Sequence, residues 1–391
     1  MAIAFGEPIP IGDEHDSEVL EALKSGYPRF SLHKAVSRLE ERLLSWATSL
    51  PCHTLALVPE EAIKLFPSDR MAKACQKYLQ ASEVENRGKM RVRVAHITLD
   101  GELEDISGVQ AATWHDPPEE HVFSAIGLRY LVLSNILGFN STHYGYGSSK
   151  DMDALEYELK EGRAIDALYT EFPTNPLLTI VDLERLHALS VQYDFVLVVD
   201  DTIGTPINLL IAPWCDVVCT SLTKMYSGAG NVMGGSAVVS PWSRHHGVLR
   251  AALTAYHEDT YFPHDLLVMH ANSSKFEERV ATASRNAQSV AELLRRHRLV
   301  TEVLYPWGGP TQSLYDKFKR PVSVRFSQPA VAIAFHDALE TAKGPSFGTN
   351  FTLACPYTVL AHYGELDWAA QFGVWEHLVR ISVGAEDLES S

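Results

Sequence analysis

The stretch FVLVVD, residues 195–200, is a nearly continuous apolar run that closes on Asp200. A strand covered on both faces has that texture, and such strands belong to parallel sheets packed between helices. The surrounding sequence repeats the theme: short β-branched runs at 92–99, 121–126, 167–172, 216–220 and 235–239 alternate with segments of helical periodicity. This alternation predicts a mostly parallel α/β sheet within residues 51–240. Sheets of that class bind ligands outside the carboxyl ends of their strands, so the segments after the runs carry the interest.

Outward from this centre the texture changes twice. Residues 1–50 begin with a Pro/Gly-punctuated stretch at 6–12 and continue with Ala35, Leu39, Leu43 and Leu44 at helical spacing, which predicts an extended arm and a helix. Residues 241–391 hold a long helical region at 273–298 and apolar runs near 322–335 and 379–383, which predict a second, smaller α+β domain. A chain of 391 residues is long enough for two such domains.

Composition narrows the class of partner. Apolar residues make up 46% and charged residues 21%, the balance of an ordinary globular protein. The formal charge of -16 disfavours nucleic acid, whose binding rests on basic patches. Five cysteines (Cys52, Cys75, Cys215, Cys219 and Cys355) lack C-x-x-C pairing, which argues against a disulfide framework or a zinc knuckle. No leader pattern or membrane-length apolar run is visible, and a cytoplasmic protein is expected.

Three segments each follow one of the sheet's expected strands: EFPTNP at 171–176, VVDDT at 198–202 and SLTK at 221–224. Parallel strands would bring their side chains to one crevice. The inventory suits pyridoxal phosphate, which needs an amine for its aldehyde, an anion for its pyridine nitrogen and neutral donors for its phosphate. Lys224, Asp200, and Ser221 with Thr223 are the candidates. In an extended stretch Ser221 and Thr223 would point away from Lys224. A lone lysine is usually a solvated surface residue, and it is the ordered combination that carries weight. Gly228, Gly230, Gly234 and Gly235 do not have dinucleotide-loop spacing, and His143, His245, His246 and His257 do not have metal-ligand spacing, so neither an NAD site nor a metal is assigned.

The segments GYPRFSLHK, LFPSDRMAK, HYGYGSS, EFPTNPLL, VVDDTIGTP, SLTKMYSGAGNVMGGS, GTNFTLACPYTVLAHY and HLVRISVGAED make the chain resemble the cystathionine gamma-synthase group of Cys/Met-metabolism enzymes, most nearly its fungal branch. The resemblance implies the aspartate-aminotransferase-like (type I) fold: an arm at 1–50, a large cofactor domain at 51–240 and a C-terminal domain at 241–391. It implies Lys224 as the Schiff-base lysine, Asp200 as partner of the pyridine nitrogen, and Asn175 beside the phenolic oxygen and the substrate. Ser221 and Thr223 match phosphate ligands, joined by main-chain contacts around Ser68, Asp69 and Arg70. Asp69 and Arg70 depart from the Gly and Met usual there. Tyr27 and Arg29 match a pair that reaches a neighbouring subunit's phosphate, Arg380 the arginine that holds the substrate carboxylate, and Ser346 its neighbour. Tyr130 is taken as the ring-stacking tyrosine, although YLVL stands where bacterial members have Tyr-Gly-Gly-Thr.

The implied activity is pyridoxal phosphate-dependent gamma-replacement on O-acetyl-L-homoserine or a related ester. A thiol would enter, cysteine giving cystathionine, or a carbon nucleophile such as a beta-keto acid. Lys224, with a pKa lowered by desolvation and the cationic surroundings, would move the protons. Gamma-elimination uses the same residues, and a non-catalytic assembly protein of the same fold is the remaining alternative. Members assemble as homodimers or homotetramers with shared active sites. The chain starts abruptly and is shorter than housekeeping fungal members, which suggests a paralogue of a secondary biosynthetic pathway.

Overall fold

The structure, a computed structural model, describes the backbone at Ala95–Ile97, Leu103–Asp105 and Glu120–Phe123, and residues 141–257, 261, 263–306 and 322–386. The chain divides into two compact units, residues 1–116 with 258–260, and residues 117–257 with 261–391. In the first, β1 (Ala95–Ile97) pairs antiparallel with β2 (Leu103–Asp105). The run at 92–99 therefore does not join the large sheet as expected. The short link between the two strands leaves no room for the crossover that parallel pairing needs.

The second unit contains a six-stranded sheet of order β4-β3-β5-β6-β7-β8. Its strands are β3 (Glu120–Phe123), β4 (Ser141–Tyr144), β5 (Ala167–Glu171), β6 (Val196–Asp200), β7 (Val217–Ser221) and β8 (Gly235–Val239). The first five are mutually parallel, and β8 is an antiparallel edge. Two helices show why the sequence folds this way. In α1 (Ser149–Lys160), Ser148 and Asp151 form a reciprocal capping box, and Met152, Leu155 and Leu159 face inward at helical spacing. In α2 (Leu183–Tyr193), Asp182 caps the first turn, Leu183, Leu186 and Leu189 are buried, and Asp194 ends the helix at φ 57°. These faces meet Leu168, Phe195, Leu197 and Val199 in one core. Each fully buried side chain of that size contributes about 1.5–3 kcal/mol.

Beyond β8 come α3 (His246–Tyr256), α4 (Pro263–Ser273) and α5 (Phe276–Arg295), then a five-stranded sheet of order β11-β12-β13-β10-β9. Its strands are β9 (Val300–Leu304), β10 (Val322–Phe326), β11 (Ala342–Lys343), β12 (Leu353–Pro356) and β13 (Val379–Ser382). Ala283, Ala287 and Ala291 give α5 a smooth buried face, and Val322, Val324, Val379 and Ile381 lie in the core beneath this sheet. The apolar run at 322–335 is not one strand. It breaks after Phe326, and α6 (Pro329–Ala338) begins with Pro329 in its first turn. Proline has no N–H for a ladder and a φ suited to a helix start, so it converts the second half of the run to helix. Two short helices, α7 (Tyr357–His362) and α8 (Leu366–Gln371), lie between β12 and β13. No described helix is long and apolar enough to cross a membrane.

Candidate active site

Strands β5, β6 and β7 are adjacent and parallel, so Glu171, Asp200 and Ser221 end at one edge of the sheet. Asp200 is 9% exposed, and its Oδ1 accepts the Thr202 N–H at 2.8 Å, which turns the chain back at the strand end. Thr202 in turn accepts the Ser221 N–H on Oγ1 at 2.8 Å, tying the ends of β6 and β7. Beside them lies a cleft of about 310 Å³ lined by Asp200, Cys219, Thr220, Ser221, Gly234, Gly235 and Ser236. A carboxylate at one place and hydroxyls with glycine backbone at another match what the pyridine nitrogen and the phosphate of pyridoxal phosphate require. The cleft volume also lies in the range of small-molecule sites, from about 300 Å³ upward.

The SLTK segment is not extended past Ser221. The Lys224 N–H bonds back to the Ser221 carbonyl at 3.2 Å and the Gly228 N–H to the Lys224 carbonyl at 2.7 Å, so the chain coils. Side-chain alternation therefore does not set the directions of Thr223 and Lys224. The Thr223 hydroxyl accepts the Gly234 N–H at 3.0 Å and faces the Gly234 carbonyl at 3.3 Å, holding a corner of the cleft. Lys224 Nζ lies 3.3 Å from Ser346 Oγ and 4.8 Å from the Phe347 ring centre. Gly348 lets this approach happen. It has φ +74°, and a Cβ there would lie 2.9 Å from Met225 N and 3.0 Å from Lys224 Cβ. On the far side Arg279 holds the coil, donating through Nε to the Met225 carbonyl at 2.9 Å and through Nη2 to the Tyr226 carbonyl at 2.6 Å.

Arg380 stands on β13 at 2% exposure. Its Nη1 donates to Asn175 Oδ1 at 2.9 Å, and its Nη2 to the carbonyls of Pro345 and Ser346. Its Nε has no acceptor among the described residues. The guanidinium lies 4.6 Å from the Tyr357 ring centre and 5.3 Å from that of Phe347. Cys355, its register partner on β12, is pushed up in pKa by burial, with the guanidinium pulling the other way. Among the described residues every hydrogen-bond acceptor of Arg380 is neutral. A buried cation without a counter-ion is costly, and an anionic ligand group relieves that cost.

The loop carrying Asn175 is fixed from both sides. Glu171 Oε2 accepts the Asn175 N–H at 2.9 Å, and Thr174 Oγ1 meets Thr179 Oγ1 at 2.6 Å. Ser323 Oγ on β10 donates to the Pro176 carbonyl at 2.8 Å, and Asn175 Nδ2 donates to Tyr357 Oη at 3.0 Å. Lys224, Ser346, Arg380 and Asn175 thus form one chain of contacts, with Asp200 and Ser221 together on the cleft. The expected Tyr27, Arg29, Ser68, Asp69, Arg70 and Tyr130 lie outside the described residues. Sequence reasoning gave no role to Phe347, Tyr357 or Thr202. Phe347 and Thr202 adjoin singled-out residues, whereas Tyr357 has no local signal.

A family profile described as Cys/Met metabolism PLP-dependent enzyme matches residues 129–390. A cystathionine gamma-synthase-like protein, ankD, of Aspergillus thermomutatus is 46% identical over 253 residues, covering 63% of this chain and 45% of that protein. The cystathionine gamma-synthase of Neurospora crassa is 46% identical over 250 residues, covering 62% of this chain and 40% of its own. The matched stretch is thus less than half the length of either relative. The crystal structure of cystathionine gamma-lyase from Lactobacillus plantarum complexed with L-serine superposes with a TM-score of 0.60 at 22% identity, covering 70% of this chain and 74% of that one. The profile spans the five-stranded sheet, every strand of the six-stranded sheet but β3, and every site residue described above, and on that ground the chain belongs to the Cys/Met-metabolism PLP-dependent enzyme family.

Proposed function

We propose that the chain catalyses gamma-replacement on an O-acyl-L-homoserine, the acetyl ester first, with cysteine or a stabilised carbanion such as a beta-keto acid as the incoming nucleophile. The observation that carries this reading is the buried Arg380 guanidinium, held among the described residues only by neutral acceptors and joined to Lys224 through Ser346. A cation so placed suits the carboxylate of an amino acid, and an amine nearby suits proton transfer at its alpha carbon.

When bound, pyridoxal phosphate supplies the electron sink that makes the alpha and then the beta hydrogens of the amino acid acidic. Asp200 would hold the pyridine nitrogen protonated by its charge. Ser221 would donate to the phosphate, and Thr223 would shape that site through its grip on Gly234. Asn175 would sit beside the phenolic oxygen, and Arg380 would orient the substrate by its carboxylate. The Lys224 amine would take the alpha proton and move protons at the beta carbon as the acyl group leaves from the gamma carbon. Tyr27 and Arg29 would reach the phosphate of a neighbouring subunit, which makes a homodimer the smallest active form. Mixing Arg29→Ala with Lys224→Ala subunits would then restore activity in the hybrids.

Purified full-length protein incubated with O-acetyl-L-homoserine and a panel of thiols and beta-keto acids, with products weighed by mass spectrometry, tests the reaction. A coupled product retaining the four-carbon amino acid unit is expected. Release of 2-oxobutyrate and ammonia with every nucleophile would mean elimination instead. Arg380→Lys should lower kcat/KM for the ester by about 30- to 1000-fold, because an ammonium cannot reproduce the direction of the guanidinium's charge-assisted contact.

A further inference from the structure

We infer that the Tyr357 hydroxyl is a second donor to the carboxylate received by Arg380, and that it sharpens the preference of this pocket for free amino acids over their neutral amides. The inference rests on the proposed reading of Arg380 as the carboxylate site.

Hydrogen-bond directions force the assignment. Arginine has only donors, so the amide atom of Asn175 that meets Arg380 Nη1 at 2.9 Å must be the oxygen. The amide nitrogen then faces Tyr357 Oη at 3.0 Å, and because it too can only donate, the phenol oxygen is the acceptor. The phenol proton is therefore turned away from Asn175. No acceptor for it exists among the described residues, and Tyr357, the first residue of α7, is half-buried. Burial pushes the phenol up to about 12, against the opposing pull of Arg380 and the Asn175 hydrogen bond, so it stays a donor throughout the neutral range.

The guanidinium points the same way. The rings of Tyr357 and Phe347 crowd its faces at 4.6 Å and 5.3 Å, so a ligand approaches through its edges. Nη2 is engaged by the carbonyls of Pro345 and Ser346, and Nη1 has one hydrogen on Asn175, which leaves its second hydrogen for an anion. Asn175 bridges Arg380 and Tyr357 through the two atoms of a single amide. A carboxylate at the free Nη1 hydrogen therefore lies next to a phenol whose proton has no other partner. An amide in place of the carboxylate loses the charge that makes both bonds strong.

The test titrates the holoenzyme with L-2-aminobutyrate, which has no leaving group, and with its primary amide, following cofactor absorbance as a measure of binding without turnover. Wild-type protein is expected to prefer the acid. Tyr357→Phe removes one oxygen and should weaken the acid by about 10- to 100-fold, the usual range for a hydrogen bond to a charged group, while amide binding changes by less than about 3-fold. An equal loss for acid and amide would assign Tyr357 a packing role and overturn the inference. An unchanged acid-to-amide ratio in Tyr357→Phe, with a collapsed ratio in Arg380→Lys, would overturn it while leaving the carboxylate site standing. An unchanged ratio in both variants would overturn the site as well.

Discussion

Replacing Asp201 with asparagine should stabilise the protein by an amount that grows with pH. Asp201 follows the strand-end Asp200, is 1% exposed, and its Oδ1 accepts the Thr220 hydroxyl at 2.5 Å. Burial raises its pKa from 3.8 to about 6, with the Thr220 bond opposing the shift. Two units correspond to about 3 kcal/mol. Below pH ~3.8 the carboxyl is protonated in both folded and unfolded chains and contributes nothing. Between ~3.8 and ~6 only the unfolded chain releases the proton, so stability falls as pH rises. Above ~6 both forms are ionised and the penalty is constant. Asparagine can still accept from Thr220, and whatever its extra N–H groups cost is independent of pH. The variant-minus-wild-type difference should therefore increase by about 2 kcal/mol between pH 4.5 and pH 7.5. Urea unfolding of both proteins, followed by tryptophan fluorescence at several pH values with cofactor in excess, measures it. A difference that stays within about 0.5 kcal/mol over that range would refute the reasoning, and Thr220→Val should move the midpoint of the rise upward.

Three further outcomes follow from the site. Lys224→Ala should abolish turnover and leave no cofactor attached after borohydride reduction, where the wild type retains it by mass; normal turnover would remove Lys224 from its proposed role. Arg279→Met deprives the Met225 and Tyr226 carbonyls of their donor, and should cost about 2–4 kcal/mol in urea unfolding and shift the cofactor absorbance. Gly348→Ala adds strain at φ +74° and a Cβ 3.0 Å from that of Lys224, so it should destabilise by about 2 kcal/mol or more and lower cofactor content; an unchanged melting temperature would contradict it.

What could be read from the chain was what local pattern encodes. FVLVVD has the texture of a covered parallel strand, and the segments EFPTNP, VVDDT and SLTK stand where three parallel neighbours end, so their convergence follows from topology alone. The coiling after Ser221 was not visible, because it depends on Arg279 of a later helix and on the absence of a Cβ at Gly348. The helix Pro329–Ala338 hid inside an apolar run in which only Pro329 marks the change. Tyr357 was invisible for a different reason. In ACPYTVL it looks like any aromatic residue of a buried segment, and its partner Asn175 lies 182 positions earlier.

The grip of the second sheet on the loop Glu171–Pro176 has a mechanical consequence. Ser323 holds the Pro176 carbonyl, Arg380 the Asn175 oxygen and Tyr357 the Asn175 nitrogen, so three rivets from β10, β13 and α7 pass through a loop of the first sheet. A hinge between the sheets at this point would have to shear all three at once, and the Ser323 bond is buried away from water that could replace it. The two sheets should therefore unfold here as a single cooperative block. In hydrogen exchange under mild denaturant, the amides of β6 and β13 should lose protection together, at one denaturant concentration, rather than sheet by sheet.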